Sequence, residues 1–452
     1  MSTQQDSYYY IFGLGKSGLA TLSYLQKHSI NILVWDDNPE TRKTISEDLL
    51  QSPETLPWEK IEKIIVSPSI PHEGPKAHPL LLEAKKRSIP FTVDIELFLR
   101  QSTFCPHYHI IGITGTNGKS TTTSLLCHLL NHFGKKAVAA GNIGIPVLSL
   151  DPTTQETYFV LELSSYQLSL LETPVLEQAI FLNISPDHLD YHGSMDAYIR
   201  AKTSIFNLMI PDGNHKGILG IDDSYTQDIY KKNPDLLSIS SESETGDIFI
   251  KDHKIFDKRY KETISLPSLM NLQGTHNAQN IVACYAALRQ ILGNDFSEDC
   301  FVKGLLSFKS LPHRQEIIAQ ERGIIFINDS KATNMNAAEK SLKVFKNIHW
   351  ILGGKAKSGE SPTSLTPYFK NVAHVYLVGS STDAFEQDLK GLLPYTVCHT
   401  IDRATQEAYS QASPGDIILL APACASFDQF QNFEERGKFF KTCTNNILKG
   451  VL

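Results

Sequence analysis

No Cys-x-x-Cys pair occurs in this chain, and its seven cysteines (Cys105, Cys127, Cys284, Cys300, Cys398, Cys424, Cys443) are odd in number and scattered. That pattern excludes a disulfide frame and a structural zinc site, and it expects reduced thiols in a cytosol. Most of the seven read as core filler. No apolar run reaches the roughly 18 residues that a bilayer requires. The start, Met-Ser-Thr-Gln-Gln-Asp-Ser-Tyr-Tyr-Tyr, has neither a basic region nor an apolar one, so no secretory signal is expected. No Lys/Arg run stands out, and 42 basic residues stand against 49 acidic ones, a net charge of −7. Nucleic acid and anionic membrane are therefore poor candidates as partners.

What is present is ordinary for a soluble globular chain: 452 residues, 41% hydrophobic and 20% charged. At roughly 150 residues per domain this length predicts about three domains, each large enough to bury a core. The first third alternates strands and helices. Residues 8–15 read as a strand entering a glycine turn, with a helix through Leu25 and further strands at Ile30 to Trp35 and Ile61 to Val66. A second α/β run starts near Phe104, with strands at Tyr158–Leu163 and Ala179–Ile184, a turn-rich stretch over 211–268, and a closing helix from about Asn277 to Leu292. The last third, starting near Ser310, repeats short strands at Ile324–Asn328, Trp350–Leu352, Val375–Val378 and Ile417–Leu420. This predicts an α/β protein of three domains, 1–103, 104–309 and 310–452. The outer two are Rossmann-like and the central one is a phosphate-loop ATPase-like domain with a mainly parallel sheet. Ligands belong at the carboxyl ends of such strands.

The strongest chemical signal is His109-Ile-Ile-Gly-Ile-Thr-Gly115-Thr116-Asn117-Gly118-Lys119-Ser120-Thr121-Thr122. A buried strand meets a glycine turn, and a lysine and hydroxyls open a helix. Backbone N–H groups and the helix N-terminus cradle a phosphate there, Lys119 reaches the outer phosphates, and Ser120 is placed for Mg²⁺. The strict phosphate-loop pattern wants glycine at position 113, where Ile113 stands, so this is a variant loop pointing to ATP or GTP. Gly13-Leu-Gly15-Lys16-Ser17-Gly18, with Asp36 at the end of the next strand, has the spacing of a dinucleotide turn. It reads equally as a nicotinamide site, a nucleotide-diphosphate site or a plain tight turn. Glu162 ends an apolar strand, where a carboxylate can reach a metal held by Ser120, or simply be solvated. His188, in Asp187-His-Leu-Asp190, should sit on the same rim as a metal or substrate contact, or as a loop histidine. Asn277 and Asn280, three apart on a helix, suit an adenine edge, with helix capping by Asn277 as the alternative. Three polar loops, at Asn328–Asn334, Gly354–Lys357 and Ala423–Asp428, each follow a strand and suggest one rim facing the central domain. On spacing alone, Lys202 is a solvated helix lysine.

Gly-Thr-Asn-Gly-Lys-Ser-Thr, Glu-Leu-Ser-Ser-Tyr-Gln, Asp-His-Leu-Asp and Thr-His-Asn-Ala resemble, in order and along the full length, the Mur ligases and their folylpolyglutamate synthase relatives. Asn-Asp-Ser-Lys-Ala-Thr-Asn and Pro-Ala-Cys-Ala-Ser-Phe-Asp-Gln-Phe resemble the D-glutamate-adding member of that family. The resemblance implies an ATP-dependent, ADP-forming ligase of peptidoglycan precursor synthesis. It would join D-glutamate to UDP-N-acetylmuramoyl-L-alanine through an acyl phosphate. It implies that Gly115 to Thr121 hold the ATP phosphates, and that Ser120 and Glu162 hold a first Mg²⁺. Lys202 matches the family's carbamylated lysine, an anionic ligand with His188 for a second Mg²⁺. Asn277 and Asn280 should meet adenine, Asp329 the ribose, and Arg314 and Lys331 the phosphates. Thr333, Lys357, Ser426 and Phe433 should form the D-glutamate pocket, where a cation and hydroxyls suit two carboxylates. Gly15, Lys16, Ser17 and Asp36 should hold the uridine diphosphate, with Asn142, Ser164, Gln167 and His188 along the rest of that substrate. Asp37, Asn38 and Ser69 depart from the family pattern near the uridine, and Lys16 or Arg42 is the candidate replacement for a lost charge. A monomeric cytoplasmic enzyme is expected. A nicotinamide oxidoreductase would leave the Lys119 loop without a purpose. A non-catalytic ATP-binding regulator is opposed by Glu162, His188 and Lys202.

Overall fold

A computed structural model describes residues 7–211, 213–269, 272, 274–309, 311–357 and 359–450; for Thr275 and His276 it describes the backbone alone. Ser310, where the last third was expected to start, falls outside the described residues. The chain separates into two compact units, one made of residues 1–268 with 275–307 and the other of 269–274 with 308–452.

The first unit holds two sheets. The smaller has four strands, β1 (Tyr8–Phe12), β2 (Ile32–Trp35), β3 (Ile61–Val66) and β4 (Phe91–Thr92), all parallel and ordered β2-β1-β3-β4. Helix α1 (Lys16–Lys27) springs from the glycine turn after β1. The larger sheet has nine strands: β5 (Tyr108–Thr114), β6 (Ala137–Gly141), β7 (Thr157–Glu162), β8 (Leu176–Phe181), β9 (Ile218–Gly220), β10 (Leu237–Ser240), β11 (Ile248–Lys251), β12 (Lys254–Asp257) and β13 (Glu262–Ser265). Their order is β13-β12-β11-β10-β9-β8-β5-β7-β6. Only β12 is reversed, pairing antiparallel with both β11 and the edge strand β13. The sheet is thus mainly parallel, as the sequence predicts. β8 lies about three residues earlier than the reading Ala179–Ile184. Gln178 is polar yet fully buried inside the strand, while Asn183 has already turned into a loop.

Helix α2 (Lys119–His132) packs on this sheet because Leu125, Leu126, Leu129 and Leu130 recur on one face, all fully buried. Burial of each such leucine contributes about 2 kcal/mol. Helix α3 (Met195–Thr203) is followed by a 3₁₀ segment to Leu208, and helix α4 (Thr275–Leu292) lies against α2. The two sheets share a core: Tyr10, Phe12 and Ile64 belong to the same cluster as Ile110, Phe159 and Leu161. Phe98 meets Phe159 edge-on at 5.1 Å. Buried Glu96 accepts from Glu172 N (3.0 Å), Thr173 N (3.3 Å) and Thr173 Oγ1 (2.6 Å), so its charge is compensated while it fastens one sheet's helix to the other's loop.

The second unit has six strands, β14 (Glu316–Glu321), β15 (Ile324–Asn328), β16 (Ile348–Gly353), β17 (Val372–Val378), β18 (Tyr395–His399) and β19 (Ile417–Leu420), ordered β14-β15-β19-β16-β17-β18. Only β14 runs antiparallel. Helix α5 (Phe433–Leu448) covers β14 and β15. All seven cysteines are unpaired, and Cys284, Cys398, Cys424 and Cys443 are buried. Among the described residues no helix is long and apolar enough to cross a membrane.

Candidate active site

The carboxyl end of β5 carries the loop Gly115–Gly118. Gly115 (φ 153°) and Gly118 (φ 83°) take angles that L side chains avoid. A Cβ at Gly118 would also fall 2.4 Å from Asn280 Oδ1, so the position needs glycine for space as well. Ile113 is fully buried within β5, which is why no glycine is needed there. Lys119 Nζ donates to Gly115 O (2.7 Å) and Thr116 O (2.9 Å), folding its charge back over the turn. Ser120 is buried in the first helical turn, followed by Thr121.

Residues that the sequence reading passes over brace this loop. Asn183, just beyond β8, accepts from Asn117 N at Oδ1 (2.9 Å) and from Thr116 N at its carbonyl (2.9 Å). Its Nδ2 donates to Gln279 Oε1 (2.7 Å), and Gln279 Nε2 donates to Asp222 Oδ2 (2.8 Å). The available signals were a lone Asn at the end of an apolar run and a Gln between two singled-out Asn residues. Asn280 is bound on both sides: its Oδ1 accepts from Thr122 Oγ1 (3.0 Å) and its Nδ2 donates to Asn277 Oδ1 (3.0 Å).

On the neighbouring strand β7, buried Glu162 accepts from Asn142 Nδ2 at Oε1 (2.8 Å). Its Oε2 is buried with no hydrogen-bond partner among the described residues. A carboxylate oxygen in that state is costly unless a cation meets it. Among the described residues no three His, Cys, Asp or Glu side chains cluster as a metal site. A cation here would draw on one carboxylate, the Ser120 hydroxyl, phosphate oxygens and water, which is how Mg²⁺ is commonly held. The residues present fit that ion.

Lys202 is not the solvated helix lysine that spacing suggests: it is 1% exposed. Its Nζ donates to Gly115 O (2.9 Å) and lies 4.9 Å from the Tyr198 ring. Burial, then the charge of Lys119, hold its pKa well below the ordinary lysine range, which favours a neutral amine. His188 follows β8 in the left-handed region (φ 53°), with Nε2 3.4 Å from Asp187 Oδ2. Burial, aided by Lys202 and Lys119 and opposed by Asp187, lowers its pKa and favours neutral imidazole. Ser164 and Gln167 form a capping box on the short helix Ser165–Leu168, with Gln167 Oε1 accepting from Ser164 N (2.9 Å).

At the first sheet, a Cβ on Gly18 would fall 2.0 Å from Gly13 O, while nothing lies within 4 Å of one on Gly15. The turn is thus tight behind and open in front, where Lys16 is exposed and Ser17 is half-buried. Asp36 accepts from Leu14 N (2.6 Å) and Asn38 N (2.8 Å), bracing the turn. The Arg42 guanidinium stacks 4.2 Å from the Trp35 ring and donates to Asp36 O, placing a cation beside it.

In the second unit, β15, β19 and β16 are adjacent and parallel, so the three polar loops do share one rim. Asp329 accepts from Ser341 Oγ (2.6 Å), and burial pushes its carboxyl up to about 6. Arg314 and Lys340 are charged neighbours of Asp329. Lys331 lies 5.1 Å over the Phe433 ring, while Lys357 is exposed and Ser426 buried. Thr333 stands two residues beyond Lys331 in the same loop. Ala423 is held at φ 56°, an uncommon strain for a buried non-glycine residue. The sequence reading missed Arg436. It is 2% exposed and donates to Ser330 O (2.8 Å), Ser330 Oγ (3.0 Å) and Cys424 O (2.9 Å), tying two of the loops together.

Comparison with known proteins agrees with this geometry. The family model for the Mur ligase middle domain matches residues 113–288, and that for the Mur ligase glutamate ligase domain matches 313–424. The UDP-N-acetylmuramoylalanine–D-glutamate ligase of Rhodospirillum rubrum is 39% identical, over 95% of this chain and 93% of its own length. The protein of that name from Paramagnetospirillum magneticum is 38% identical, over 95% and 94%. Among solved structures, the UDP-N-acetylmuramate-alanine ligase of Thermotoga maritima superposes with a TM-score of 0.60 at 14% identity, covering 98% of this chain and 99% of that one. The MurF ligase of the same organism, in complex with ADP, gives a TM-score of 0.57 at 14% identity, over 99% and 97%. At such identity these two structures speak for the fold alone. The matched domains and the full-length relatives place the chain in the Mur ligase family, in its UDP-N-acetylmuramoylalanine–D-glutamate ligase branch.

Proposed function

We propose that this chain joins the amine of D-glutamate to the lactyl-alanine carboxyl of UDP-N-acetylmuramoyl-L-alanine, with ATP cleaved to ADP and phosphate, as a step of peptidoglycan precursor synthesis in the cytosol. The observation that carries the reading is the buried Glu162 oxygen, without a hydrogen-bond partner among the described residues, beside a glycine loop suited to phosphate, in a chain whose relatives bear that name. The substrate carboxylate takes the γ-phosphoryl group of ATP, giving an acyl phosphate and ADP. The amine of D-glutamate then attacks the acyl carbon, and the tetrahedral adduct expels phosphate to leave the amide. Lys119 exchanges the Gly115 and Thr116 carbonyls for phosphate oxygens, and its charge offsets the charge that moves. Ser120 and Glu162 would hold one Mg²⁺, and His188 with a Lys202 carbamate another. Bound Mg²⁺ supplies Lewis-acid neutralisation of the phosphoryl oxygens. A neutral Lys202 amine can add CO₂ and lose a proton to become that carbamate.

Gly15, Lys16, Ser17 and Asp36 bind the uridine diphosphate in this reading, with Arg42 supplying charge, and Asn142, Ser164, Gln167 and His188 meet the sugar-peptide. Asn277 and Asn280 serve adenine, Asp329 the ribose, and Arg314 and Lys331 the phosphates. Thr333, Lys357, Ser426 and Phe433 hold D-glutamate. The three domains 1–103, 104–309 and 310–452 divide these tasks, and the chain acts as a monomer. Phosphate release should require UDP-N-acetylmuramoyl-L-alanine and D-glutamate together. Better turnover with L-glutamate, glycine or a folate acceptor would overturn the assignment.

The loop brace gives a smaller test. Asn183→Ala removes the acceptor for Asn117 N and the donor to Gln279. Loss of such bonds, at about 1–1.5 kcal/mol, should raise KM for ATP about tenfold and leave KM for D-glutamate unchanged. An unchanged KM for ATP would refute the brace.

A further inference from the structure

The segment after β3, Ser67 to His78, starts beside the first glycine turn, with Ser67 N bonded to Phe12 O (2.9 Å). It then reaches the loop that carries His188. A Cβ on Gly74 (φ 73°) would fall 2.2 Å from Tyr191 O, so the two backbones touch. At this junction His72 is 1% exposed and Tyr191 is 6% exposed. His72 Nδ1 lies 2.6 Å from Tyr191 Oη, and Nε2 lies 3.2 Å from Ser169 Oγ.

The protons in this chain can be assigned from the donors. Ser169 Oγ donates its one proton to Tyr166 O (2.9 Å) and so accepts from His72 Nε2–H. Nδ1 then carries the lone pair and accepts from Tyr191 O–H. Neutral imidazole satisfies every group, and burial, with the charge of Lys85, holds the His72 pKa down to about 4. Tyr191 is held against the Tyr166 ring (4.1 Å), which in turn meets the His188 ring at 5.0 Å. Tyr191 N also donates to His188 O (3.1 Å), closing the turn that keeps His188 in the left-handed region. A non-glycine residue persists there only when its surroundings fix it.

We infer that His72 and Tyr191 are positioning residues: their hydrogen bond holds the strained loop that aims His188, and ties it to the glycine-turn end of the first sheet. The inference rests on the reading of His188 as a metal contact. It assigns a task to a segment that the reaction itself leaves without one.

The test uses the full chain with ADP and UDP-N-acetylmuramoyl-L-alanine, and measures Mn²⁺ binding from the free-ion electron paramagnetic resonance signal beside kcat and KM. Tyr191→Phe keeps the ring and removes the donor. It should weaken Mn²⁺ binding and lower kcat, each about tenfold, as loss of a residue that orients a ligand does. KM for ATP should hold. His72→Leu should act alike, and His72→Gln, whose amide can both accept from Tyr191 and donate to Ser169, should recover most of the loss. Lys76→Ala removes an exposed ion pair to Asp190 on the same segment and should change nothing beyond about twofold. If His188→Ala weakens Mn²⁺ binding and Tyr191→Phe does not, the positioning role is refuted. If His188→Ala leaves Mn²⁺ binding intact, the reading of His188 as a ligand fails and takes this inference with it. Should His72→Leu lower the melting temperature sharply, Tyr191→Phe decides.

Discussion

Lys202→Met is expected to lower kcat about 10³-fold while leaving the melting temperature no lower than that of the unsubstituted protein. The two halves of that result follow from one environment. Lys202 is buried, bonded to a loop carbonyl, and pressed by the charge of Lys119, with Asp187 and Glu162 acting only through space. Its pKa falls well below the ordinary 10.5. The unfolded chain therefore binds a proton that the folded chain gives up, and this costs stability at every pH below 10.5. The cost disappears as pH rises through 10.5, where the unfolded lysine also loses its proton. Methionine fills similar volume without that cost, so stability should hold or rise. Activity should collapse, because methionine cannot form the proposed carbamate and so offers no anionic ligand, a loss of several kcal/mol of charge stabilisation. A residue that served only packing would move both readouts together or neither. Lys202→Ala leaves a cavity, and small carboxylates such as formate or acetate should restore part of its kcat by supplying the missing oxygens. Wild-type turnover by Lys202→Met would end the carbamate proposal.

The sequence was most legible where local chemistry and position coincide. Ile61–Val66, Ile324–Asn328 and Ile417–Leu420 are strands with the expected bounds, because each is a short stretch rich in Ile, Val or Leu between polar turns. The glycine turn at Gly115–Gly118 was legible because its glycines are demanded by backbone angle. Strands β12 and β13 were not, since Lys254, Asp257 and Glu262 give them the look of turns. Lys202 shows the limit plainly. Its spacing on α3 says solvent, and only the fold, by bringing its Nζ to Thr114 and Gly115 at the end of β5, buries it. Asn183, Gln279 and Arg436 were passed over for the same reason: each acts through partners far away in the chain, at 66, 57 and 106 positions of separation. Ser164 and Gln167 carry a second meaning that the motif hid, because they cap a helix as well as standing where substrate is proposed to pass.

Glu162→Gln is expected to lower kcat by about 10²- to 10³-fold and to raise the Mg²⁺ concentration needed for half-maximal activity. The substitution is mild in shape. Gln can still accept from Asn142 Nδ2 through its carbonyl oxygen, so the end of β7 should keep its place. What it removes is the negative charge and the Glu162 oxygen that has no hydrogen-bond partner among the described residues. In place of that acceptor it sets an NH₂ group, which repels a cation instead of meeting it. Folding should be little harmed, since a buried anion with an unsatisfied oxygen is itself destabilising in the absence of its ion. Binding of UDP-N-acetylmuramoyl-L-alanine without nucleotide, followed by calorimetry, should be unchanged, because that step makes no call on the metal. Glu162→Asp, which keeps the charge but withdraws it by one methylene, should fall between the two. An unshifted Mg²⁺ titration in Glu162→Gln would mean that the orphaned oxygen faces no ion, and the site would have to be rebuilt around Ser120 and His188 alone.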